Sequence, residues 1–261
     1  MAKIKTTAQV FRQEKISDGI YSMWLSFQEQ ENIASEAVPG QFLSLYSKDG
    51  SRLLPRPISI CEIDREERRI RIVYRIAGKG TEEFSALTEG ENIDVMGPLG
   101  NGFTIQDGTA LLIGGGIGIP PMLELAKVLS DAGKQVKVVL GYRDSDLFLK
   151  EEFEPYAEIY VSTEDGSVGT KGNVIDAIIA HAVHADTIYA CGPLPMLRGV
   201  KAFAVENKIP AELSMEEKMA CGIGACLACV CQSGEKDAHS NVCNKRVCKD
   251  GPVFDALEIE I

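Results

Sequence analysis

The sequence predicts a multidomain chain, all-β at its start and α/β in its middle, closed by a cysteine-bearing loop. Three observations predict it. Apolar and polar residues alternate with period two through the first hundred residues, as half-buried strands require. Past Gly108, apolar runs alternate with amphipathic helical stretches, the pattern of βαβ units around a parallel sheet. Near the end, Cys221, Cys226 and Cys229 stand at spacing C-x4-C-x2-C. The expected divisions are an antiparallel β-barrel over 1–103, a parallel α/β domain over 104–212 and a cysteine-bearing subdomain over 213–261.

In the first division the expected strands are Thr6–Gln13, Ile20–Phe27, Phe42–Tyr46, Pro57–Ile63, Arg69–Ile76 and Asn92–Met96, with turn residues between them. One helix is expected, starting near Thr81 with Glu82 and Glu83 in its first turn. Six short strands and one helix point to an antiparallel barrel. Two segments stand out: Arg56-Pro57-Ile58-Ser59, and Val73-Tyr74-Arg75 followed by Gly78-Lys79-Gly80-Thr81. A Gly-Thr pair opening a helix offers free N–H groups and a hydroxyl to a phosphate. Taken alone, the pair reads first as a plain turn with an N-cap threonine, and the arginines as surface residues.

In the second division the expected strands are Thr109–Ile113, Val136–Leu140, Glu158–Ser162 and Thr187–Ala190. The expected helices are Pro120–Ala132, Leu147–Tyr156, Val174–Ala182 and Met196–Glu206. The turn Gly114-Gly115-Gly116-Ile117-Gly118-Ile119-Pro120-Pro121 is not G-x-G-x-x-G, because the third glycine position falls on Ile119 or Pro121. It remains a glycine-rich strand-to-helix turn with proline at the helix start, a geometry for a diphosphate. The turns at Gly141-Tyr142-Arg143-Asp144 and Cys191-Gly192-Pro193 also follow strands. In open α/β sheets ligands bind at those ends. Cys191 suits a place near a reacting ring or an ordinary buried thiol. Asp144 and Glu164 suit a free ribose hydroxyl and Arg143 a phosphate, which leaves NAD and NADP both open.

The cysteine spacing is that of a plant-type [2Fe–2S] cluster held by four thiolates. Such a cluster is anionic, so its loop must wrap it with backbone N–H donors. Gly222, Gly224, Ala225 and Ala228 are small enough to let the backbone approach. A structural zinc site also uses C-x2-C pairs, but normally two of them, and only one exists here. Three cysteines compete for the fourth ligand. Cys231 crowds the segment that already holds Cys226 and Cys229. Cys243 and Cys248 both return across the polar stretch Gln232–Asn241, and Cys248 leads into the turn and apolar anchor Lys249-Asp250-Gly251-Pro252-Val253-Phe254.

At 45% hydrophobic and 25% charged, the 261-residue chain has ample material for a core. A net charge of −11 argues against nucleic acid or an anionic membrane as main partner. No apolar leader opens the chain, and its longest apolar run is broken by glycine and proline. A soluble cytoplasmic protein is expected, its clustered cysteines binding metal and not forming disulfides.

Together these motifs resemble the ferredoxin–NAD(P)+ reductase family of flavoproteins. The ending MEEKMACGIGACLACVC…VCKDGPVF is similar to the electron-transfer subunits of dihydroorotate dehydrogenase B, supported by PGQF, RPIS, GPLGNGF and CGP. The resemblance covers nearly the whole chain. It implies FAD in the barrel, held by Arg56, Pro57, Ile58 and Ser59, by Val73, Tyr74 and Arg75, and by Gly80 and Thr81 at the pyrophosphate. It implies NAD(H) at Gly114, Gly115, Gly116, Gly118, Cys191, Gly192 and Pro193. It also places the fourth cluster ligand just before D-G-P-V-F, so the implied set is Cys221, Cys226, Cys229 and Cys248. Many relatives carry R-x-Y-S with a flavin-stacking tyrosine. Ile58 stands there instead, and Tyr74 is the candidate for that role.

NAD+ takes two electrons as a hydride and an iron–sulfur cluster passes one at a time; a flavin does both and belongs between them. The histidines His181, His184 and His239 lie at a helix end or on a polar loop and read as solvated residues, not general bases. No catalytic residue for an organic substrate is evident, so the electron source is expected to be another protein. The resemblance implies the flavin (FMN) subunit that oxidises dihydroorotate in pyrimidine biosynthesis, joined in a heterotetramer of two plus two. Other readings are the electron-transfer subunit of a ferredoxin–NADP+ oxidoreductase or sulfide dehydrogenase complex, and a non-catalytic nucleotide-binding module with structural zinc.

Overall fold

A computed structural model describes residues 4–234, 236 and 242–261. His239 and the residues 235 and 237–241 of the polar stretch lie outside the described residues. Six strands close a barrel in the order β1-β2-β5-β4-β3-β6. They are β1 (Ile4–Ser17), β2 (Ile20–Ser26), β3 (Phe42–Tyr46), β4 (Arg56–Asp64), β5 (Arg69–Arg75) and β6 (Asn92–Leu99). Neighbours pair antiparallel throughout. All six expected strands are present. β1 runs well past its expected ends, its pairing with β2 shifting register between Val10 and Arg12 and between Lys15 and Ser17. Such bulges let a long strand bend without ending. Alternation sends Leu43 and Leu45 of β3 inward onto Met23, Leu25, Ile60 and Ile72, a core sealed from solvent.

Two helices accompany the barrel where one was expected. The extra one, α1 (Ile33–Glu36), is a single turn that buries Ile33 and Ala34; at four residues it is too short for a 3.6-residue periodicity to register. The other, α2 (Lys79–Ser85), starts at the expected Gly-Thr segment.

The α/β part is a seven-stranded sheet in the order β10-β9-β8-β7-β11-β12-β15. Its strands are β7 (Ala110–Gly115), β8 (Val136–Tyr142), β9 (Glu158–Thr163), β10 (Thr170–Lys171), β11 (Thr187–Cys191), β12 (Ala211–Ser214) and β15 (Val253–Asp255). The helices are α3 (Pro120–Asp131), α4 (Lys150–Phe153), α5 (Val174–Ala180) and α6 (Leu194–Asn207). The helix expected over Leu147–Tyr156 contracts to α4. Leu149 takes a left-handed φ of 65° and prevents the helix from extending backward. β10 and β12 were not expected; at two and four residues they carry almost no pattern.

β15 comes from the cysteine-bearing segment. It joins the sheet antiparallel, Leu213 opposite Phe254, and so ties the end of the chain to the α/β unit. The remaining strands, β13 (Val230–Ser233), β14 (Asn244–Arg246) and β16 (Ile259–Glu260), form a small sheet in the order β14-β13-β16. The GPLGNGF turn docks on the same segment: Asn101 N–H donates to the Gly251 carbonyl at 2.6 Å and Asn101 Nδ2 to the Asp250 carbonyl at 2.9 Å. Gly100, at φ 74°, has no room for a side chain, since a Cβ there would lie 2.4 Å from Pro252 Cδ. Among the described residues no helix is long and apolar enough to cross a membrane.

Candidate functional site

Two cavities open where the barrel meets the sheet. The first, about 610 Å3, is lined on its barrel side by Arg56, Pro57, Ile58, Ser59, Val73, Tyr74, Arg75 and Thr81. Eight of the nine residues expected at the flavin therefore face one space. The ninth, Gly80, is buried in α2, where an added Cβ would meet Arg56 Nε at 2.5 Å. Its bare Cα is what lets the guanidinium lie across the helix start. Thr81 Oγ1 accepts from the N–H of Ala77 at 2.9 Å and donates to the Gly78 carbonyl at 3.0 Å. Gly78, not Thr81, is the N-cap; Thr81 is the third helical residue, and its hydroxyl reaches back to fasten the turn, as the N3 side chain of a capping box does.

Tyr74 does not offer a ring face. It is 1% exposed, its hydroxyl is bonded to Gln13 Oε1 at 2.9 Å, and its ring stacks on Tyr21 and meets Phe84 edge-on. The role of stacking partner expected for it is not supported by this packing.

The opposite wall of this cavity is the run Ser214 to Met219 with Pro252. These residues carry no ligand signal in sequence, because they join β12 to the cysteine loop without periodicity. Glu216 is exposed to the cavity. Crowding by surrounding protein desolvates its carboxyl and raises it above the ordinary value, against the pull of the Arg75 charge.

The second cavity, about 530 Å3, is lined by Gly115, Gly116 and Pro193 with Arg143, Asp144 and Glu164. Asp18, Asp146 and Ser162 also reach it, from a hairpin and strand ends that showed no motif. Gly114, Gly118 and Gly192 serve packing. A Cβ on Gly118 would lie 2.3 Å from the Cys191 carbonyl oxygen, and one on Gly192 2.5 Å from Met196 Cε. The two glycine turns therefore lie against each other. Cys191 is 2% exposed beneath them, and burial pushes its thiol up to about 12. Arg75 lines both cavities.

The cysteine loop follows the wall of the first cavity. Gly222 and Gly224 take a left-handed φ, 68° and 83°. The N–H groups of Ile223 and Ala225 donate to Cys221 Sγ at 3.4 and 3.3 Å, and that of Gly224 to Cys248 Sγ at 3.1 Å. The Cys248 N–H donates to Cys229 Sγ at 3.4 Å. Cys229 and Cys248 are buried, Cys221 is half-buried and Cys226 is exposed. Cys231 lies in β13 opposite Lys245, and Cys243 is exposed.

Burial alone would raise the Cys221 thiol, but N–H donation, first from Ile223, outweighs it and brings it down to about 6. Burial and the adjoining Cys229 sulfur push Cys248 up to about 12. Sulfurs crowded so closely cannot all ionise without cations among them. This donor set, thiols ringed by backbone N–H groups, fits an iron–sulfur cluster. Among the described residues no three such side chains converge tightly enough for one ion, so their association is read from the N–H···S bonds that link them.

Comparison with known proteins agrees with this layout. Residues 216–260 match the iron–sulfur cluster binding domain of dihydroorotate dehydrogenase B, and residues 112–202 the oxidoreductase NAD-binding domain. The electron transfer subunit of dihydroorotate dehydrogenase B (NAD(+)) from Listeria monocytogenes serotype 4b is 44% identical over 99% of this chain and 100% of its own length. That of Fusobacterium nucleatum is 46% identical over 85% of this chain and 87% of its own. Among solved structures, an NADH-dependent reduced ferredoxin–NADP oxidoreductase superposes with a TM-score of 0.86 at 32% identity, covering 97% of this chain and 89% of that one. The ferredoxin reductase of carbazole 1,9a-dioxygenase shares the fold, at a TM-score of 0.69 and 18% identity over 80% of this chain and 67% of that one. The expected fold and the expected cofactors, FAD, a [2Fe–2S] cluster and NAD, agree with these matches. Full-length identity of this order settles the family: the chain belongs to the electron-transfer subunits of dihydroorotate dehydrogenase B.

Proposed function

We propose that the chain carries electrons from a flavin-bearing dihydroorotate-oxidising subunit to NAD+, within a heterotetramer of two plus two in the cytoplasm. The observation that carries this reading is the placement of Arg75 on both cavities, with the far wall of the first running directly into the cysteine loop. When bound, flavin supplies exchange of a hydride with nicotinamide on one side and of single electrons with an iron–sulfur cluster on the other. The chain's own residues then hold and orient. Arg56, laid over Gly80, supplies fixed positive charge for the flavin diphosphate, while Pro57, Ile58, Ser59, Val73, Tyr74 and Thr81 shape its cavity. Arg75 faces both ligands. Gly115, Gly116 and Pro193 open the second cavity to NAD, and Gly114, Gly118, Cys191 and Gly192 pack the two turns beneath it. Cys221, Cys226, Cys229 and Cys248 ligate the cluster.

In this reading residues 1–103, 104–212 and 213–261 are the FAD, NAD and cluster units. The eight cysteines, none of them paired in a disulfide, support a reducing compartment. Exposed Cys226 and Leu227, the latter 55% accessible, support a partner surface beside the cluster. The ferredoxin–NADP oxidoreductase alternative has the weaker match, at 32% identity against 44%. The test is reconstitution. The isolated chain, loaded with FAD, iron and sulfide, is expected to reduce dyes with NADH and to leave dihydroorotate untouched. Adding the catalytic subunit is expected to give dihydroorotate-dependent NAD+ reduction. Dihydroorotate oxidation by the isolated chain would refute this division of labour.

A further inference from the structure

The outer face of β3 is the seam between the flavin cavity and the cysteine loop. Strand alternation turns Phe42, Ser44 and Tyr46 outward while Leu43 and Leu45 enter the barrel core. Phe42 lines the flavin cavity and packs in the core that also contains Cys229 and Cys248. Tyr46, whose phenol is raised by burial, also feels the charge of Cys221. Ser44 stands between them. In register it faces Pro57 of the flavin-binding strand, one step from the Leu45–Arg56 pair.

Ser44 is completely buried, and among the described residues its Oγ has no hydrogen-bond partner. A buried hydroxyl left unbonded is costly, and native structures rarely keep one without a reason. Its direction supplies the reason. A Cβ placed on Gly222 would sit 3.0 Å from Ser44 Oγ, so the hydroxyl is aimed at the loop segment immediately after Cys221. The backbone donors already identified reach Cys221, Cys229 and Cys248 from within the cysteine-bearing segment. Ser44 is a donor offered from the barrel.

We propose that the Ser44 hydroxyl donates a hydrogen bond to a sulfur of the bound cluster on its Cys221 side, and so sets the potential at which the chain passes single electrons. The proposal rests on the cluster reading given above. Hydrogen bonds to cluster sulfurs stabilise the more negative, reduced state and raise its potential. Ser44 is thus a positioning and tuning residue.

The experiment is an anaerobic redox titration of the FAD- and cluster-loaded chain. Electron paramagnetic resonance follows the cluster and absorbance follows the flavin. Ser44→Ala is expected to lower the cluster midpoint by the equivalent of about a tenfold change in reduced-to-oxidised ratio, about 59 mV for one electron. Iron and sulfide content and the flavin midpoint are expected to stay unchanged. Ser44→Cys, a weaker donor of similar size, is expected to fall between, and serves if the alanine variant loads poorly. A loaded variant whose cluster midpoint and resonance spectrum match wild type overturns the role of Ser44 and leaves the cluster reading standing. A wild-type chain that takes up no iron and sulfide overturns both.

Discussion

Glu124 of α3, 2% exposed, accepts a hydrogen bond from the Ile63 backbone N–H of β4 at 3.0 Å. The bond joins the helix that begins at the glycine turn to the strand that begins at Arg56. It therefore ties the α/β unit to the barrel near the far end of that strand. Charges gather around it: Arg65 and Lys127 approach Glu124 at 3.8 and 3.9 Å, and Glu62 bonds both Lys127 and Arg71. Arg71 also bonds Glu152, next to the last residue of α4.

Burial raises the Glu124 carboxyl above its ordinary value, and the Ile63 donor, Lys127 and Arg65 only partly reverse this. A carboxyl raised by folding binds its proton more tightly in the folded chain. Its contribution to stability is full below the ordinary carboxylate value and is lost as pH rises through the raised one. Glu124→Gln keeps the acceptor and removes the titration. Urea unfolding across pH 4 to 8 is expected to show wild type losing ground to Glu124→Gln as pH rises through that window, roughly the slope a single raised group produces. Parallel curves would show that Glu124 does not titrate there. Glu124→Ala leaves the Ile63 N–H unbonded and is expected to lose about 1–3 kcal/mol.

The sequence made the periodic parts legible and hid what depends on distant contacts. The strand from Arg56 and the helix from Pro120 repeat their patterns long enough to be read. Glu124 reads as one more surface charge on that helix; only the docking of β4 buries it. Val253–Asp255 is short and apolar, and nothing local says that it will pair with Ala211–Ser214 some forty residues earlier. Leu149 gives no sign that its φ will be positive, so the helix around it is overdrawn. At the cavities the motif residues were legible because glycine and proline mark required turns. Ser214 to Met219 was not, since a wall has no periodicity. Tyr74 has the residue type that suits a stacking role, and only the structure shows its ring packed against Tyr21 and Phe84.

Arg56 supplies the charge over Gly80, so Arg56→Ala is expected to weaken FAD binding by about tenfold to a hundredfold, the range for one charge-assisted bond. Fluorescence titration of the stripped chain with FAD measures it. Gly80→Val is expected to act in the same direction, since its side chain would occupy the place of Arg56 Nε. Unchanged FAD affinity in both variants would remove Arg56 from the flavin site.

Gly118 and Gly116 separate packing from strain. An alanine methyl at Gly118 lies 2.3 Å from the Cys191 carbonyl and must part the two turns, whereas among the described residues one at Gly116 has only Arg75 within reach, at 3.9 Å. Gly118→Ala is expected to lose more than about 2 kcal/mol of stability and to impair NADH-dependent dye reduction. Gly116→Ala, at φ 52°, is expected to lose only about 1 kcal/mol from backbone strain. Equal effects from the two would mean that the turns are not held against each other.

The fourth thiolate separates by substitution. Cys248 is 1% exposed, accepts from the Gly224 N–H and donates its own N–H to Cys229 Sγ, so it sits within the bonded group of ligands. Cys231 is buried in β13, where it stands opposite Lys245 of β14. Cys243 is exposed at the foot of β14. Cys248→Ser is expected to abolish or strongly alter the visible absorption and resonance signal of the reconstituted cluster. Cys243→Ser and Cys231→Ser are expected to leave both intact, with iron and sulfide near wild-type content. Loss of the cluster in Cys243→Ser with retention in Cys248→Ser would transfer the ligand role to Cys243.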